Sequence, residues 1–212
     1  MTATNPQDRD AWIAKRRGKI TASRIGDIAR RKKDGSMYAA GETYLYEVLT
    51  ERLTGQATEH YVSAPMQWGL DQEANAVAQY EFEQGVTCAF SDFVDHPTIP
   101  MSGASPDRLV GDDGLLEVKC PISRNHIQFL LDGDIAGLGE NYPWQMQWQM
   151  ASTGRKWCDF VCFDPRITNA ALRMRRVRVE RDEEMIKQAE AAVIDANRWI
   201  AEAMKKLVAS HD

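Results

Sequence analysis

The stretch SPDRLVGDDGLLEVK, residues 105–119, constrains the fold of this chain more than any other segment. Two short apolar runs flank Gly111, Asp112, Asp113 and Gly114, whose turn chemistry predicts a β-hairpin. On its second strand Leu116 and Val118 alternate with Glu117 and Lys119, so the apolar pair is expected in the core and the charged pair on the other face. Asp107, at the head of the first strand, is then expected to converge with Glu117. Two carboxylates that close raise one another's pKa unless a cation sits between them, and hard oxygen donors favour Mg²⁺ or Mn²⁺. Such an ion polarises a phosphodiester and acidifies a bound water, with Lys119 placed to orient that water or to stabilise developing charge. Taken alone, the segment also fits a solvated hairpin carrying an ordinary surface charge pair.

At 212 residues the chain suits one domain with a well-buried core. The start, MTATNPQDRDAW, has no basic segment followed by an apolar run, and no stretch approaches the roughly 18 apolar residues of a membrane span. A soluble, unsecreted, cytoplasmic protein is expected. Cys88, Cys120, Cys158 and Cys162 lack CxxC spacing, which argues against a disulfide framework, a structural zinc or an iron–sulfur cluster and for reduced, packed thiols. His60, His96, His126 and His211 are dispersed, and no serine or cysteine sits in a nucleophile elbow, so covalent hydrolase chemistry is disfavoured. The net charge of −5 is unevenly divided: residues 1–33 hold ten Lys/Arg against three Asp/Glu, a balance of +7 that leaves −12 beyond Lys33. With a Debye length of about 8 Å at physiological ionic strength, a phosphate held by the basic segment barely senses distant acidic surface. A basic groove for nucleic acid and a merely solvated helix face are both consistent with it.

Along the chain, Asp8 or Asp10 is expected to cap a helix from Trp12 to about Arg17, ended by Gly18, and Thr21 or Ser23 a second carrying Ile25 and Ile28. RRKKDGS, residues 30–36, reads as a mobile loop, followed by an amphipathic helix through Tyr44, Leu45, Val48, Leu49 and Leu53 to Gly55. MQWGLDQEANAVAQYEFEQ, residues 66–84, predicts a long helix closed by Gly85, with the strand-like VTCAFS and FVDH next, so that the sheet begins late. SRNHIQFLL and YPWQMQWQM read as helices, WCDFVCF and ALRMRRVRV as strands, and residues 181 to about 208 as a long charged helix. The sum is an α/β (α+β) architecture with a central mixed β-sheet flanked by helices.

Six ordered motifs carry a resemblance to a known family: W-x3-R-x-G-x-ITAS from Trp12 to Ser23, WGLDQE from Trp68, SPD at 105–107, LEVKCP from Leu116, QMQWQM from Gln145 and FDPR at 163–166. In these the chain resembles the phage lambda exonuclease family, the YqaJ-type viral recombinases of the PD-(D/E)XK nuclease superfamily. The resemblance implies a restriction-endonuclease-like core over residues 1–212, with 1–55 a helical DNA-end-binding portion. It implies a Mg²⁺-dependent 5′→3′ exonuclease on double-stranded DNA, Mn²⁺ being accepted, with two ions per active site. The products would be 5′-mononucleotides and a 3′ single strand passed to an annealing protein for recombination. A ring-shaped homotrimer and a phage or prophage origin in a bacterial host cell are implied as well.

By position, Asp107 and Glu117 match the family's metal-binding acids, Val118 the residue whose carbonyl completes the site, and Lys119 the catalytic lysine. Glu73 matches a helix-borne acid of the same metal cluster and Gln145 a residue that positions water and lysine, although composition alone reads the first as solvated and the second as part of a core stripe. Arg16, Ser23 and Ser105 match residues around the 5′-terminal phosphate, an anion suited to a guanidinium and two hydroxyls. Met66 falls near an apolar wedge that parts the terminal base pair, and is otherwise read as core or rim. Arg108 departs from the pattern, standing where a small residue is common, and Arg17 adjoins the matching Arg16. The alternatives are an endonuclease or restriction-like enzyme with the same metal site, and an inactive DNA-end-binding module.

Overall fold

The computed structural model of the chain describes residues 6–59 and 61–210, with side chains from Asp10 onward. Two sheets organise it. The larger has five strands in the order β2 (Cys88–Phe90), β5 (Arg108–Val110), β6 (Gly114–Lys119), β7 (Trp157–Phe163) and β8 (Met174–Glu180). The pairs are antiparallel except β6 with β7, which run parallel. A parallel neighbour needs a crossover, and three helices supply it: α5 (Ser123–Asp132), the short α6 (Ile135–Leu138) and α7 (Tyr142–Thr153). The smaller sheet sets β1 (Ile20–Thr21) parallel and β3 (Val94–Asp95) antiparallel to β4 (Ser102–Ala104).

The remaining helices are α1 (Pro6–Arg16), α2 (Ile25–Ala29), α3 (Ala39–Thr54), α4 (Ala64–Gln84) and α8 (Glu183–Ala209). Their ends follow local chemistry. Gly55 and Gly85, both left-handed, close α3 and α4, as the sequence predicts. The Ser63 side chain caps α4 with Pro65 in its first turn, and the Asp182 carboxylate accepts the N–H groups of Glu184 and Met185 at the head of α8.

Three apolar clusters fill the molecule. One lies between α4 and the sheet, around Ala76, Val77, Tyr80, Leu116, Val118 and Val161. A second lies on the opposite face, around Leu115, Phe129, Met146, Met150 and Phe160. The largest gathers α2, α3 and α8 about Trp148 of α7. Helix α7 therefore runs between the sheet and the helical half, and every residue from Gln145 to Ser152 is buried.

Several expectations are corrected. Helix α1 is described from Pro6 onward, so Asp10 lies inside it; the side chain of Asp8 is outside the described residues. Neither Thr21 nor Ser23 caps a helix. Thr21 belongs to β1, where its N–H donates to the Tyr44 hydroxyl, and Ser23 sits in a 3₁₀ turn that leads into α2. The sheet structure consequently begins at Ile20 rather than near residue 88, because tertiary pairing with β4 recruits two residues too few to show a strand pattern. The segment 30–36 is a tight turn, closed by an Arg31–Met37 bridge and by the Asp34 carboxylate, which accepts from both the N–H and the hydroxyl of Ser36. Ala170–Leu172 form a 3₁₀ turn ahead of β8. All four cysteines are free thiols, three of them buried. His126 bonds to Cys162 Sγ and the Leu172 carbonyl oxygen, and His96 stacks on Trp148; His60 and His211 are outside the described residues. Among the described residues no helix is long and apolar enough to cross a membrane.

Candidate active site

The β5–β6 hairpin forms as the sequence predicts, turning through Gly111 at φ +52°. Its register pairs Arg108 with Leu116, which sets Asp107 across from Glu117. The Val118 N–H donates to Asp107 Oδ2 at 2.7 Å and ties the head of the first strand to the second. Leu116 and Val118 enter the core against α4, but the face bearing Glu117 is not open to solvent. Helix α7 covers it, and Glu117 is only 1% exposed.

A carboxylate that deep requires donors. Glu117 has three: Lys119 Nζ and Gln145 Nε2 reach Oε1 at 2.5 and 2.6 Å, and Gln149 Nε2 reaches Oε2 at 2.7 Å. Gln149 was not singled out by sequence reasoning, yet a signal exists: Gln145 and Gln149, spaced i and i+4, lie on one side of the helix and face the same neighbour.

The electrostatics follow from burial. Withdrawal from water, and then the field of Glu117 with a contribution from Glu73, push the Asp107 carboxyl up to about 7, against the opposing Lys119 and Val118 N–H. Burial disfavours the Lys119 ammonium, but Glu117 and Asp107 outweigh it and hold the group above the usual lysine range. The same ammonium lies 4.8 Å from the centre of the Tyr142 ring. Glu73, on α4, is buried rather than solvated, and Arg108 Nη1 donates to its Oε1 at 3.1 Å.

Asp107, Glu117, Lys119, Gln145, Arg16, Ser23 and Ser105 all border one cavity of about 160 Å³. Arg16 is poised there by Trp12: its guanidinium carbon sits 4.2 Å over the indole, whose N–H donates to Ser105 Oγ. Arg16 also reaches Ser105 Oγ and Thr21 Oγ1 at 3.5 and 3.4 Å, and no acid among the described residues is paired with it. Asp107 and Lys119 form a shared wall with a second groove of about 520 Å³, where Glu73, Val118 and Met66 lie. A third groove of about 490 Å³ leads from Arg16 and Ser23 past Arg17, Arg24 and Tyr61 to the half-exposed Met66.

The basic amino-terminal segment is less free than its count suggests. Lys15 pairs with Asp92, Lys19 with Asp95, Arg24 with Asp27 and Glu47, and Arg30 with Glu140. Folding brings acids from elsewhere to these cations, which pairwise sequence counting cannot see.

The donor set suits a hard divalent ion: carboxylates of Asp107, Glu117 and Glu73 with the Val118 carbonyl, around an Asp107 carboxyl whose pKa is raised first by burial and then by its acidic neighbours. Among the described residues, however, no three His, Cys, Asp or Glu side chains stand together as a ready cage. Glu73 is turned to Arg108, and Glu117 to Lys119 and two glutamines.

A mixed sheet between helices, with an Asp-bearing hairpin and a Glu-x-Lys strand packed beneath a buried helix, defines the restriction-endonuclease-like class of folds. Within that class the chain belongs to the YqaJ-like viral recombinase domain family, whose model matches residues 11–156. The alkaline exonuclease LHK-Exo of Laribacter hongkongensis is 38% identical over 96% of this chain and 100% of its own, with a TM-score of 0.82. A structure of LHK-Exo in complex with dAMP matches at 37% identity over the same shares, with a TM-score of 0.83. A phage-related exonuclease from Haemophilus somnus 129PT, 16% identical over 89% of this chain and 96% of its own, shares the fold with a TM-score of 0.71. No curated protein sequence matches the chain.

Proposed function

We propose that this chain is a metal-dependent 5′→3′ exonuclease acting on double-stranded DNA. The observation that carries the reading is a single cavity bordered at once by Asp107, Glu117 and Lys119 and by Arg16, Ser23 and Ser105. The first three suit phosphodiester hydrolysis, and the second three suit a terminal phosphate. Kinship with LHK-Exo, a structure of which holds dAMP, supports a nucleotide substrate. An end-binding corner beside the chemistry favours an exonuclease over an endonuclease, since it recognises a group that a continuous strand lacks.

In this reading Asp107, Glu117 and the Val118 carbonyl hold Mg²⁺ or Mn²⁺, which when bound polarises the scissile phosphate and acidifies water. The carboxylates of Glu117 and Asp107 favour the Lys119 ammonium and raise its pKa against the cost of burial. Lys119 acts as a donor, orienting the nucleophile or stabilising charge on the phosphate oxygens. Gln145 and Gln149 fix Glu117, and through it Lys119. Arg16 over Trp12 receives the 5′ phosphate together with Ser23 and Ser105, and Met66 lies at the rim where the strands part. The 3′ strand left behind passes to an annealing protein, and the chain works as a homotrimeric ring threaded by duplex. Sedimentation at micromolar concentration checks the ring, which a monomer would rule out.

The decisive experiment is digestion of a duplex phosphorylated on one 5′ end only, with and without Mg²⁺. Mononucleotides should leave the phosphorylated strand first, only with the ion, and a closed circular duplex should survive. Lys119→Ala should bind the duplex and release nothing. Wild-type rates from that variant, or cutting of the circle, would overturn the assignment.

A further inference from the structure

Three carboxylates, Glu73, Asp107 and Glu117, surround the candidate site, and among the described residues the fold sets Lys119 and Arg108 against them. Lys119 is committed to Glu117. Arg108 is committed to Glu73, at 3.1 Å, and the same Nη1 donates to the Asp107 carbonyl oxygen. This second pair is shielded: the Arg108 side chain is 16% and the Glu73 side chain 9% exposed, so water and salt screen it weakly. A guanidinium does not lose its proton at any accessible pH. Arg108 is also fixed at its base, since β5 is paired on both sides, through Phe90 and Leu116. A divalent ion that took Glu73 as a ligand would have to displace a permanent charge from a buried partner, or lie beside it against like-charge repulsion.

We propose that Arg108 replaces one of the two metal ions expected of such a site. It is a positioning residue that withholds Glu73 from the ligand set as a built-in counter-cation. The chain then binds a single divalent ion, through Asp107, Glu117 and the Val118 carbonyl. This inference rests on the metal-dependent reading above. The lack of any three-acid cage among the described residues accords with it.

The test is direct titration with Mn²⁺, free ion being followed by electron paramagnetic resonance, so that no catalytic turnover is read. The native protein should bind a single ion, and Asp107→Asn should weaken that ion at least about 10-fold. Arg108→Met, which keeps bulk and removes charge, should admit a second ion, and adding Glu73→Gln to it should abolish that ion again. Glu73→Gln alone should still bind a single ion, and it carries the test if Arg108→Met fails to fold. Two ions in the native protein, loss of binding in Glu73→Gln, or native stoichiometry in folded Arg108→Met would overturn the role of Arg108. A native protein that binds no Mn²⁺, or an Asp107→Asn variant that binds as tightly, would overturn the metal-dependent reading and the inference with it.

Discussion

Gln149 illustrates how much of the candidate site is supplied by buried residues that do not line its cavity. Its amide nitrogen satisfies the second oxygen of Glu117, a carboxylate with almost no access to water. Gln149→Leu keeps much of the bulk and orphans that oxygen. It should lower nuclease turnover by about 10- to 100-fold, the usual cost of removing a partner that orients a ligand, with the circular dichroism spectrum unchanged. A second buried acid, Asp159, serves stability instead. Burial raises its pKa, but hydrogen bonds from Arg178 and the Tyr80 hydroxyl, and the charge of Arg176, outweigh this and hold it below the ordinary 3.8. A depressed folded-state value contributes stability that is complete above the unfolded pKa and is lost as pH falls below 3.8 towards the folded one. Asp159→Asn should therefore destabilise the protein at neutral pH. The loss should be about 3 kcal/mol, the low end for a broken buried pair because both arginines are partly open to water. The variant should also lack that part of the acid-limb slope. Urea titrations of both proteins from pH 3 to 7 would show it, and parallel curves would disprove it.

At the level of elements, glycine C-caps and hairpin turns were readable because their determinants are local, whereas the N-caps expected at Asp10, Thr21 or Ser23 gave way to tertiary pairing and a longer first helix. Gly55 and Gly85 closed their helices, and the hairpin about Gly111 formed where its turn residues lay. The short β2 and β3 were readable in VTCAFS and FVDH, but β1 was not, because its two residues owe their state to a partner 82 positions away. The middle strand of that small sheet tolerates little. A methyl group at Gly103 would meet the Val94 carbonyl oxygen at 2.4 Å and the Phe93 ring at 2.6 Å, while the Gly103 carbonyl accepts from Trp148 Nε1. Gly103→Ala should cost about 1–3 kcal/mol through overpacking, read as a lowered melting temperature. A Gly85→Asn change at a helix end, where a left-handed residue has open space, should be milder.

For the molecule as a whole, charge placement matters more than total charge. The sum of −5 says little, since four of the ten amino-terminal cations, Lys15, Lys19, Arg24 and Arg30, are already matched by acids brought in from β3, the β2–β3 loop, α3 and the loop before α7. Arg16, without an acid partner among the described residues and on the wall of the candidate cavity, should contribute a phosphate contact to DNA capture. Arg16→Ala should reduce the slope of log binding constant against log salt by about 1. Lys15→Ala, already neutralised by Asp92, should leave it nearly unchanged. Equal slopes for both would refute that map.

The family was determined by the ordered motifs of the sequence, and the hairpin with Asp107, Glu117 and Lys119 as candidate site residues was legible there too, because turn chemistry and strand alternation act over a few neighbouring residues. Only the tertiary structure decided that α7 roofs Glu117 with Gln145 and Gln149, that Arg16, Ser23 and Ser105 share its cavity, and that Arg108 claims Glu73. Those relations join residues 28 to 89 positions apart, and the energy that sets them, desolvation of charge, exists only once the chain has closed around it.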